Sequence, residues 1–182
     1  VYEYRDNVLE GRDMGEAARD EVGSVVRRMV EEHTPGDFVE EWDLPGLFVA
    51  LDDIWPTSLT ADQVTAENLD REELIDRLTA DAVGLYDRRE AELGDELMRA
   101  LERFLLLQII DNRWREHLYE MDYLQEGIHL RGFAQIDPLV AYKNACYTMF
   151  HDIMNSIWAA FARVIFHVEV NIARADFGPE PG

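Results

Sequence analysis

Apolar residues recur every three or four positions along most of this chain, which is the period of an amphipathic α-helix. The longest series runs from Asp95 to Gly127, and a second follows Asp137-Pro138, an N-cap acceptor with proline at the first helical position. Roughly thirty residues at about 1.5 Å each span about 45 Å, so the two series predict a long antiparallel hairpin. The expected apolar stripes are Leu97, Leu101, Phe104, Leu105, Ile109, Trp114, Leu118, Met121 and Leu124 on the first helix, and Tyr142, Cys146, Met149, Phe150, Ile153, Ile157, Phe161, Val164 and Val168 on the second.

The segment before the hairpin predicts further helices. Tyr4, Val8 and Gly11 have the pattern of closing helical turns, and no cap accompanies Val1, so we expect the chain to start inside a longer helix. Residues 13–16 and 70–73 have capping-box spacing. The helices that they open have the apolar positions Ala18, Val22, Val25, Val26, Met29 and Val30, and Leu74, Ile75, Leu78, Val83 and Leu85. Turn-forming residues lie at 34–37, 43–46 and 55–58, and strand patterns are nearly absent, so the predicted fold class is all-α.

Charge is unevenly distributed along the 182 residues. Residues 1–93 carry 9 basic and 25 acidic side chains (net −16), whereas residues 94–182 carry 8 and 13 (net −5). We therefore predict an opening helical segment at 1–34, an acidic insertion at 35–93, the hairpin at 94–170 and a linker or tail at 171–182. The acidic run is most simply a solvated face, although it could also attract a basic partner.

Composition excludes several classes of protein. A net charge of −21 argues against nucleic-acid binding, which needs clustered cations. Cys146 is the only cysteine, which excludes disulfide frameworks and thiolate zinc sites and fits a reducing compartment. No apolar run is long enough to span a bilayer, and no signal peptide opens the sequence.

Catalytic motifs are also missing. The single lysine, Lys143, follows Tyr142 and precedes Asn144, so no phosphate-binding P-loop can be built and no catalytic or cofactor-binding residue is predicted. Cys146 lies on an apolar stripe, where a small buried residue is a better interpretation than a nucleophile. Glu126 and His129 have the Glu-x-x-His spacing of helical di-iron sites, but one pair that straddles a helix-ending glycine does not make a metal site.

The predicted connection between the hairpin helices is unusual. It covers residues 127–136, and it contains Ile128, Leu130, Phe133 and Ile136, with Arg131 as its only full charge. Such connections are usually two to eight residues long and polar. Either these apolar side chains fold back on their own helices, or they contact a partner.

Four closely spaced segments of the predicted hairpin resemble a known family. Leu107-Gln108-Ile109-Ile110-Asp111-Asn112-Arg113-Trp114-Arg115-Glu116-His117-Leu118 and Met121-Asp122-Tyr123-Leu124, followed by Gly127-Ile128-His129-Leu130-Arg131-Gly132-Phe133-Ala134-Gln135 and Asp137-Pro138, are similar to the C-terminal helical region of the SecA family. Weaker similarity extends over Tyr4-Arg5-Asp6-Asn7-Val8-Leu9-Glu10-Gly11, which resembles the end of the family's long scaffold helix, and over Trp42-Asp43-Leu44-Pro45-Gly46-Leu47, which resembles its helical wing domain. Members of this family are motor ATPases of bacterial preprotein translocation.

The resemblance implies a role for each part. Residues 1–34 would belong to the helical scaffold, 35–93 to the wing, and 94–170 to a two-helix finger. The finger tip would contact the SecY/SecE/SecG channel and the unfolded preprotein. These tip residues would be Ile128, His129, Leu130, Arg131, Gly132, Phe133, Ala134 and Gln135, with Phe133 where the family has a bulky aromatic residue.

The same comparison implies partners outside this chain. ATP and Mg²⁺ would bind motor domains that the chain lacks, and the scaffold would pack on those domains and restrain ATP turnover. Trp114 would either anchor the hairpin on the motor or be buried within it. The resemblance further implies bacterial cytoplasm, peripheral attachment to the cytoplasmic face of the membrane, and a possible homodimer.

Four residues differ from the usual family pattern. Ile136 replaces a basic residue, Ala141 replaces a glutamate, and Ala145-Cys146 replace an acidic residue followed by a small one. These differences make the finger more apolar. The alternatives to a translocase scaffold are a stand-alone helical-bundle metalloprotein that uses Glu126 and His129, and an acidic helical adaptor that shares the hairpin.

Overall fold

The computed structural model describes residues 14–131 and 138–168, with no side-chain placement for Met121, 124–131, Pro138 and 141–142. The described residues form α-helices, one 3₁₀ turn and irregular connections, and none of them is in a strand. The all-α prediction is confirmed. The α-helices are α1 (Met14–His33), α2 (Leu44–Asp52), α3 (Ala61–Ala66), α4 (Arg71–Leu93), α5 (Asp95–Arg131) and α6 (Pro138–Ile165), with the 3₁₀ turn at Val39–Glu41.

Local sequence explains where the shorter helices begin. The predicted capping box at 70–73 is present: Asp70 accepts from the Glu73 amide at 2.8 Å, and Glu73 accepts from the Asp70 amide at 3.0 Å. Thr60 and Gln63 form another one before α3. Residues 43–46 open α2 instead of forming the predicted turn, because Asp43 accepts from the Gly46 amide at 3.1 Å and proline is tolerated in the first turn.

The core is shared by the helices α1 to α4 and the base of the hairpin. As predicted, α1 buries Ala18, Val22, Val25, Val26 and Val30, and it packs along α4. On α4, Ala82 and Tyr86 are buried, whereas the predicted Val83 and Leu85 are only half-buried. Trp55 and Tyr86 both contact the ring of Phe166 at the end of the hairpin, with centroid separations of 6.2 and 6.1 Å.

The long hairpin is confirmed as two adjacent antiparallel helices. Ile109 lies opposite Ala160, and His117 lies opposite Ile153, so the chain direction reverses between α5 and α6. The predicted end of α5 at Gly127 is wrong, because the helix continues to Arg131. One glycine inside a helix costs only about 1 kcal/mol relative to alanine, which continued helical hydrogen bonding can offset.

The predicted stripe on α5 is displaced from the observed one. Phe104 is 57% exposed and Leu118 is 46% exposed. The buried positions among the described side chains of α5 are Met98, Glu102, Leu105, Leu106, Ile110 and His117. Two of these six side chains are polar, so the apolar periodicity of the sequence indicated positions beside the buried face of α5, such as Phe104 and Leu118.

Candidate functional site

The basal half of the hairpin is packed as a protein core. Ile110 on α5 and Ile157 and Phe161 on α6 are buried, and the rings of Trp158 and Phe161 meet edge to face with centroids 5.4 Å apart. Arg28 on α1 donates to the Asn155 side-chain oxygen at 2.7 Å. The base of the finger is therefore anchored to the helices that precede it.

The outer half of the hairpin has a different surface. Among its described side chains beyond His117 and before Ile153, none is buried. Tyr123 is 80% exposed and Tyr147 is 76% exposed. The other large exposed apolar side chains of this half are Leu118, Tyr119, Leu139, Val140 and Phe150. Two helices alone cannot enclose these side chains, which leaves an aromatic and aliphatic surface available for contact with another molecule.

His117 marks the boundary between the two halves. Its side chain is 4% exposed, its Nδ1 has no hydrogen-bond partner among the described residues, and its ring lies 5.3 Å from that of Trp114. A shallow cleft beside it is lined mainly by charged residues, among them Arg113, Glu116 and Asp152. Trp114 is half-buried, so it is neither sealed within the hairpin nor fully exposed.

The structure describes only part of the predicted finger tip. Ile128, His129, Leu130 and Arg131 are in the last turns of α5, without described side chains, and the alternative metal pair Glu126 and His129 falls in the same stretch. Gly132, Phe133, Ala134, Gln135 and Ile136 lie outside the described residues. Of the positions that depart from the family pattern, Ala141 is helical, and Ala145 and Cys146 are half-buried rather than buried.

Sequence reasoning missed a polar cluster at the base of the hairpin, in which Tyr86 and Glu102 are buried and Arg19, Glu90 and Arg99 are half-buried. Tyr86 on α4 donates its hydroxyl hydrogen to Glu102 Oε1 at 2.6 Å, and Arg99 donates to Glu102 Oε2 at 3.0 Å. Arg99 also donates to Glu90 at 2.6 Å, and Arg19 on α1 donates to the same Glu90 oxygen at 2.5 Å. The cluster thus joins three helices. The only sequence signal for it is a charged pair, Arg99 and Glu102, within an otherwise apolar stripe.

The cluster perturbs the acidity of its members in opposite directions. Burial raises the pKa of Glu102 above its usual value, although the Tyr86 hydrogen bond and the Arg99 charge favour the ionised carboxylate. Burial and the bond to Glu102 also raise the pKa of Tyr86. The hydrogen bond from Arg19, assisted by Arg99, holds the pKa of Glu90 below its usual value against the cost of desolvation.

A second polar cluster fixes the loop after α2. Asp81 on α4 accepts from the Trp55 indole N–H at 3.0 Å, from the Ser58 amide at 3.0 Å and from the Ser58 hydroxyl at 2.9 Å. Desolvation opposes ionisation here, but these hydrogen bonds outweigh it and lower the pKa of Asp81. The loop is therefore held on α4 by a charged acceptor.

Neither cluster has the arrangement of a catalytic or metal centre. Within 14–131 and 138–168, no three histidine, cysteine, aspartate or glutamate side chains converge in a way that could hold a metal ion. The helices in these two stretches also lack a segment that is both long and apolar enough to cross a bilayer. The arrangement is suited to positioning a contact surface.

These features define an all-helical scaffold that presents a long two-helix projection. The chain belongs to the SecA wing and scaffold domain family, whose sequence pattern matches residues 1–169. It is 44% identical over 178 residues to protein translocase subunit SecA 1 of Thermobifida fusca. The matched region covers 94% of this chain and 18% of that relative.

Other relatives give the same result. The chain is 43% identical to protein translocase subunit SecA of Acidothermus cellulolyticus, over 94% of this chain and 18% of the relative. It is 41% identical to protein translocase subunit SecA 1 of Mycobacterium tuberculosis, over 96% of this chain and 20% of the relative. The chain therefore spans about one fifth of the length of the curated relatives that it matches.

Proposed function

We propose that this chain is the non-catalytic scaffold, wing and finger region of a bacterial protein translocase subunit that couples ATP hydrolysis to preprotein export. The observation that carries the proposal is the asymmetry of the hairpin. Its base is packed into the core through Ile157 and Phe161, whereas its outer half exposes Tyr123 and Tyr147. A projection with an anchored base and an apolar outer surface is suited to contact another molecule at a distance from its own core.

The contacts of the finger follow from this division. The tip residues 128–135 engage the SecY/SecE/SecG channel and the unfolded preprotein, for which apolar contacts are suitable because they require no particular partner sequence. Trp114 is the candidate contact with the motor domains. The chain itself hydrolyses no ATP, and ATP with Mg²⁺ binds elsewhere in the full-length protein. The complete subunit works in the cytoplasm and attaches peripherally to the cytoplasmic face of the cell membrane, either as a monomer or as a homodimer.

Site-specific photo-crosslinking in the full-length protein tests this proposal. A photoreactive residue at Tyr147 or Phe133 should crosslink to a channel subunit or to a preprotein arrested in transit. The matched control is a probe at Val49, an apolar side chain of α2 that is 74% exposed but lies on the wing. We expect the finger probes to yield at least a tenfold excess of these products over the control. A tenfold ratio of occupancies corresponds to a difference of about 1.4 kcal/mol in contact free energy. Equal crosslinking from all three positions would contradict a specific contact by the finger.

A further inference from the structure

The junction between the wing and the finger is as short as one residue. Gly94 is the only residue between α4 and α5, and it ends one helix and starts the next: its amide donates to the Glu90 carbonyl at 2.8 Å, and its carbonyl accepts from the Met98 amide at 2.9 Å. Its φ of 84° and ψ of 155° lie in a region that is essentially accessible only to glycine. A Cβ at Gly94 would meet no atom within 4 Å, so backbone conformation rather than space explains the glycine.

The polar cluster at the base of the hairpin spans this junction from both sides. Glu90 lies in the last turns of α4, and Arg99 and Glu102 lie in the first turns of α5. Arg99 bridges the two carboxylates with its two terminal nitrogens, at 2.6 Å to Glu90 and 3.0 Å to Glu102. Arg19 adds α1 to the same group through Glu90, and its guanidinium carbon lies 5.1 Å from the centre of the Tyr86 ring.

The close approach of Gly15 provides a further contact between α1 and this group. A Cβ added at Gly15 would overlap the guanidinium of Arg99, so the absence of a side chain at this position is what allows the arginine to occupy its place. Arg99 is thus confined between the backbone of α1 and the carboxylates of α4 and α5. Apolar packing tolerates small rotations of one helix over another, whereas hydrogen bonds to charged groups are directional.

We propose that Arg19, Glu90, Arg99 and Glu102 form a clasp that fixes the angle of the finger to the wing, so that α1, α4 and the base of α5 move as one body. These four side chains are positioning residues: they set where the outer half of the hairpin points without contacting a partner themselves. Partly buried ion pairs contribute little net stability but can specify one geometry. In a translocase, a role that rests on the proposed function, the clasp would make the finger follow the movements of the wing.

Distance measurement between two spin labels tests the clasp in this chain alone. With Cys146 replaced by serine, labels are attached to cysteines at Ala80 on α4 and Asp122 on α5, both exposed positions away from the cluster. Asp122 lies 28 residues beyond Gly94, or about 42 Å along the helix, so a rotation of about 10° at the junction moves it by about 7 Å. The parent should give one narrow distance distribution.

Two variants weaken the clasp, and one serves as a control. Arg99→Lys keeps the charge but replaces the planar fork by a single ammonium, which cannot bridge Glu90 and Glu102 in the same way. Gly15→Ala displaces the guanidinium of Arg99. Gly84→Ala adds the same methyl group to a helix where nothing lies within 4 Å. We expect a roughly twofold broader distribution, or a shift of several ångströms, for the first two variants and no change for the control.

The outcomes are distinguishable from loss of folding and from failure of the proposed function. Far-UV circular dichroism establishes that each variant keeps its helices, and Arg99→Lys, which introduces no steric overlap, decides the result if Gly15→Ala unfolds. An unchanged distance distribution in folded Arg99→Lys would overturn the clasp. Because no channel or preprotein is present, this result would leave the crosslinking test of the finger unaffected.

Discussion

Tyr86 and Glu102 form a hydrogen bond of 2.6 Å in which neither residue has any exposed surface. The bond connects α4, the longest described helix before the hairpin, to the first turns of α5. A buried carboxylate requires hydrogen-bond donors, and here the phenol of Tyr86 and the guanidinium of Arg99 supply them. This pairing allows a polar residue to occupy a core position at the base of the finger.

Removal of the Tyr86 hydroxyl should destabilise the chain. Tyr86→Phe leaves a buried oxygen of Glu102 without its donor, at an expected cost of about 1–3 kcal/mol in the free energy of unfolding. Tyr119→Phe is the matched control, because Tyr119 is 73% exposed and its hydroxyl can be solvated in either state. Urea denaturation followed by circular dichroism measures both variants. Equal stability of the two would show that the hydroxyl contributes nothing at the base of the hairpin.

The raised pKa of Glu102 predicts a characteristic pH dependence. Folding favours the protonated form of this carboxyl, so its contribution is fully present below the usual value of 4.5 and is lost as the pH rises through the raised pKa. The pKa of Glu90 is lowered, so this carboxyl is ionised in both the folded and the unfolded state above pH 4.5. It therefore does not change the free energy of unfolding with pH in that range.

The comparison with Glu102→Gln isolates this effect. The variant cannot ionise at this position, so the free energy of unfolding of the parent should decline relative to that of the variant as the pH rises from 4.5 through the raised pKa of Glu102. Other carboxylates, including Glu21 with its own raised pKa, are common to both chains and cancel in the difference. A difference that stays constant over this range would exclude protonation of Glu102 as the source of the slope.

Asp81 should be required for the loop after α2. Asp81→Ala leaves the indole N–H of Trp55, a residue that is 1% exposed, without an acceptor and releases Ser58, so we expect a loss of about 1–3 kcal/mol in the free energy of unfolding. Asp76→Ala removes an exposed carboxylate from the same helix and should change stability by less than about 0.5 kcal/mol. Thermal unfolding of the two variants against the parent provides the measurement, and equal effects would contradict a specific role for Asp81.

Truncation of hairpin side chains should reveal where the packed core ends. Ile157→Ala removes a side chain that is 1% exposed and should cost about 2–5 kcal/mol in the free energy of unfolding. Val140→Ala, on the same helix but 51% exposed, should change it by less than about 0.5 kcal/mol. A large loss at Val140 in the isolated chain would mean that the outer half contributes to the core.

The sequence predicted the helices well because their signals are local. The capping box at 70–73 and the proline at the start of α6 specify helix starts through neighbouring residues, and both are observed. The buried face of α5 was less predictable, since Glu102 and His117 occupy core positions that hydrophobic periodicity assigns to apolar residues. Their burial depends on the rest of the fold: Glu102 is matched by Tyr86 and Arg99, and Arg19 reaches the same cluster from a helix far away in sequence.

The sequence predicted the hairpin that carries the candidate site, but it did not predict how the two halves of the hairpin differ in burial. The extended hairpin followed from two periodic patterns and the proline between them, and family motifs directed attention to residues 128–135. The division into a packed base and an exposed outer half could not be inferred from periodicity, because Ile153 and Phe150 belong to the same apolar series but differ in burial. That difference depends on tertiary packing, which periodicity along the chain does not report.

Because a single residue separates α4 from α5, the direction in which each face of the finger points depends on the number of residues at this junction. Each helical residue advances the direction of a side chain by about 100°, so one amino acid inserted beside Gly94 would turn every face of α5 by more than a quarter of a circle about its own axis. Met98 and Glu102 would leave the core, and the exposed side chains of Tyr119 and Tyr123 would point in a different direction. We therefore expect insertions and deletions at this position to displace the finger relative to the preceding helices.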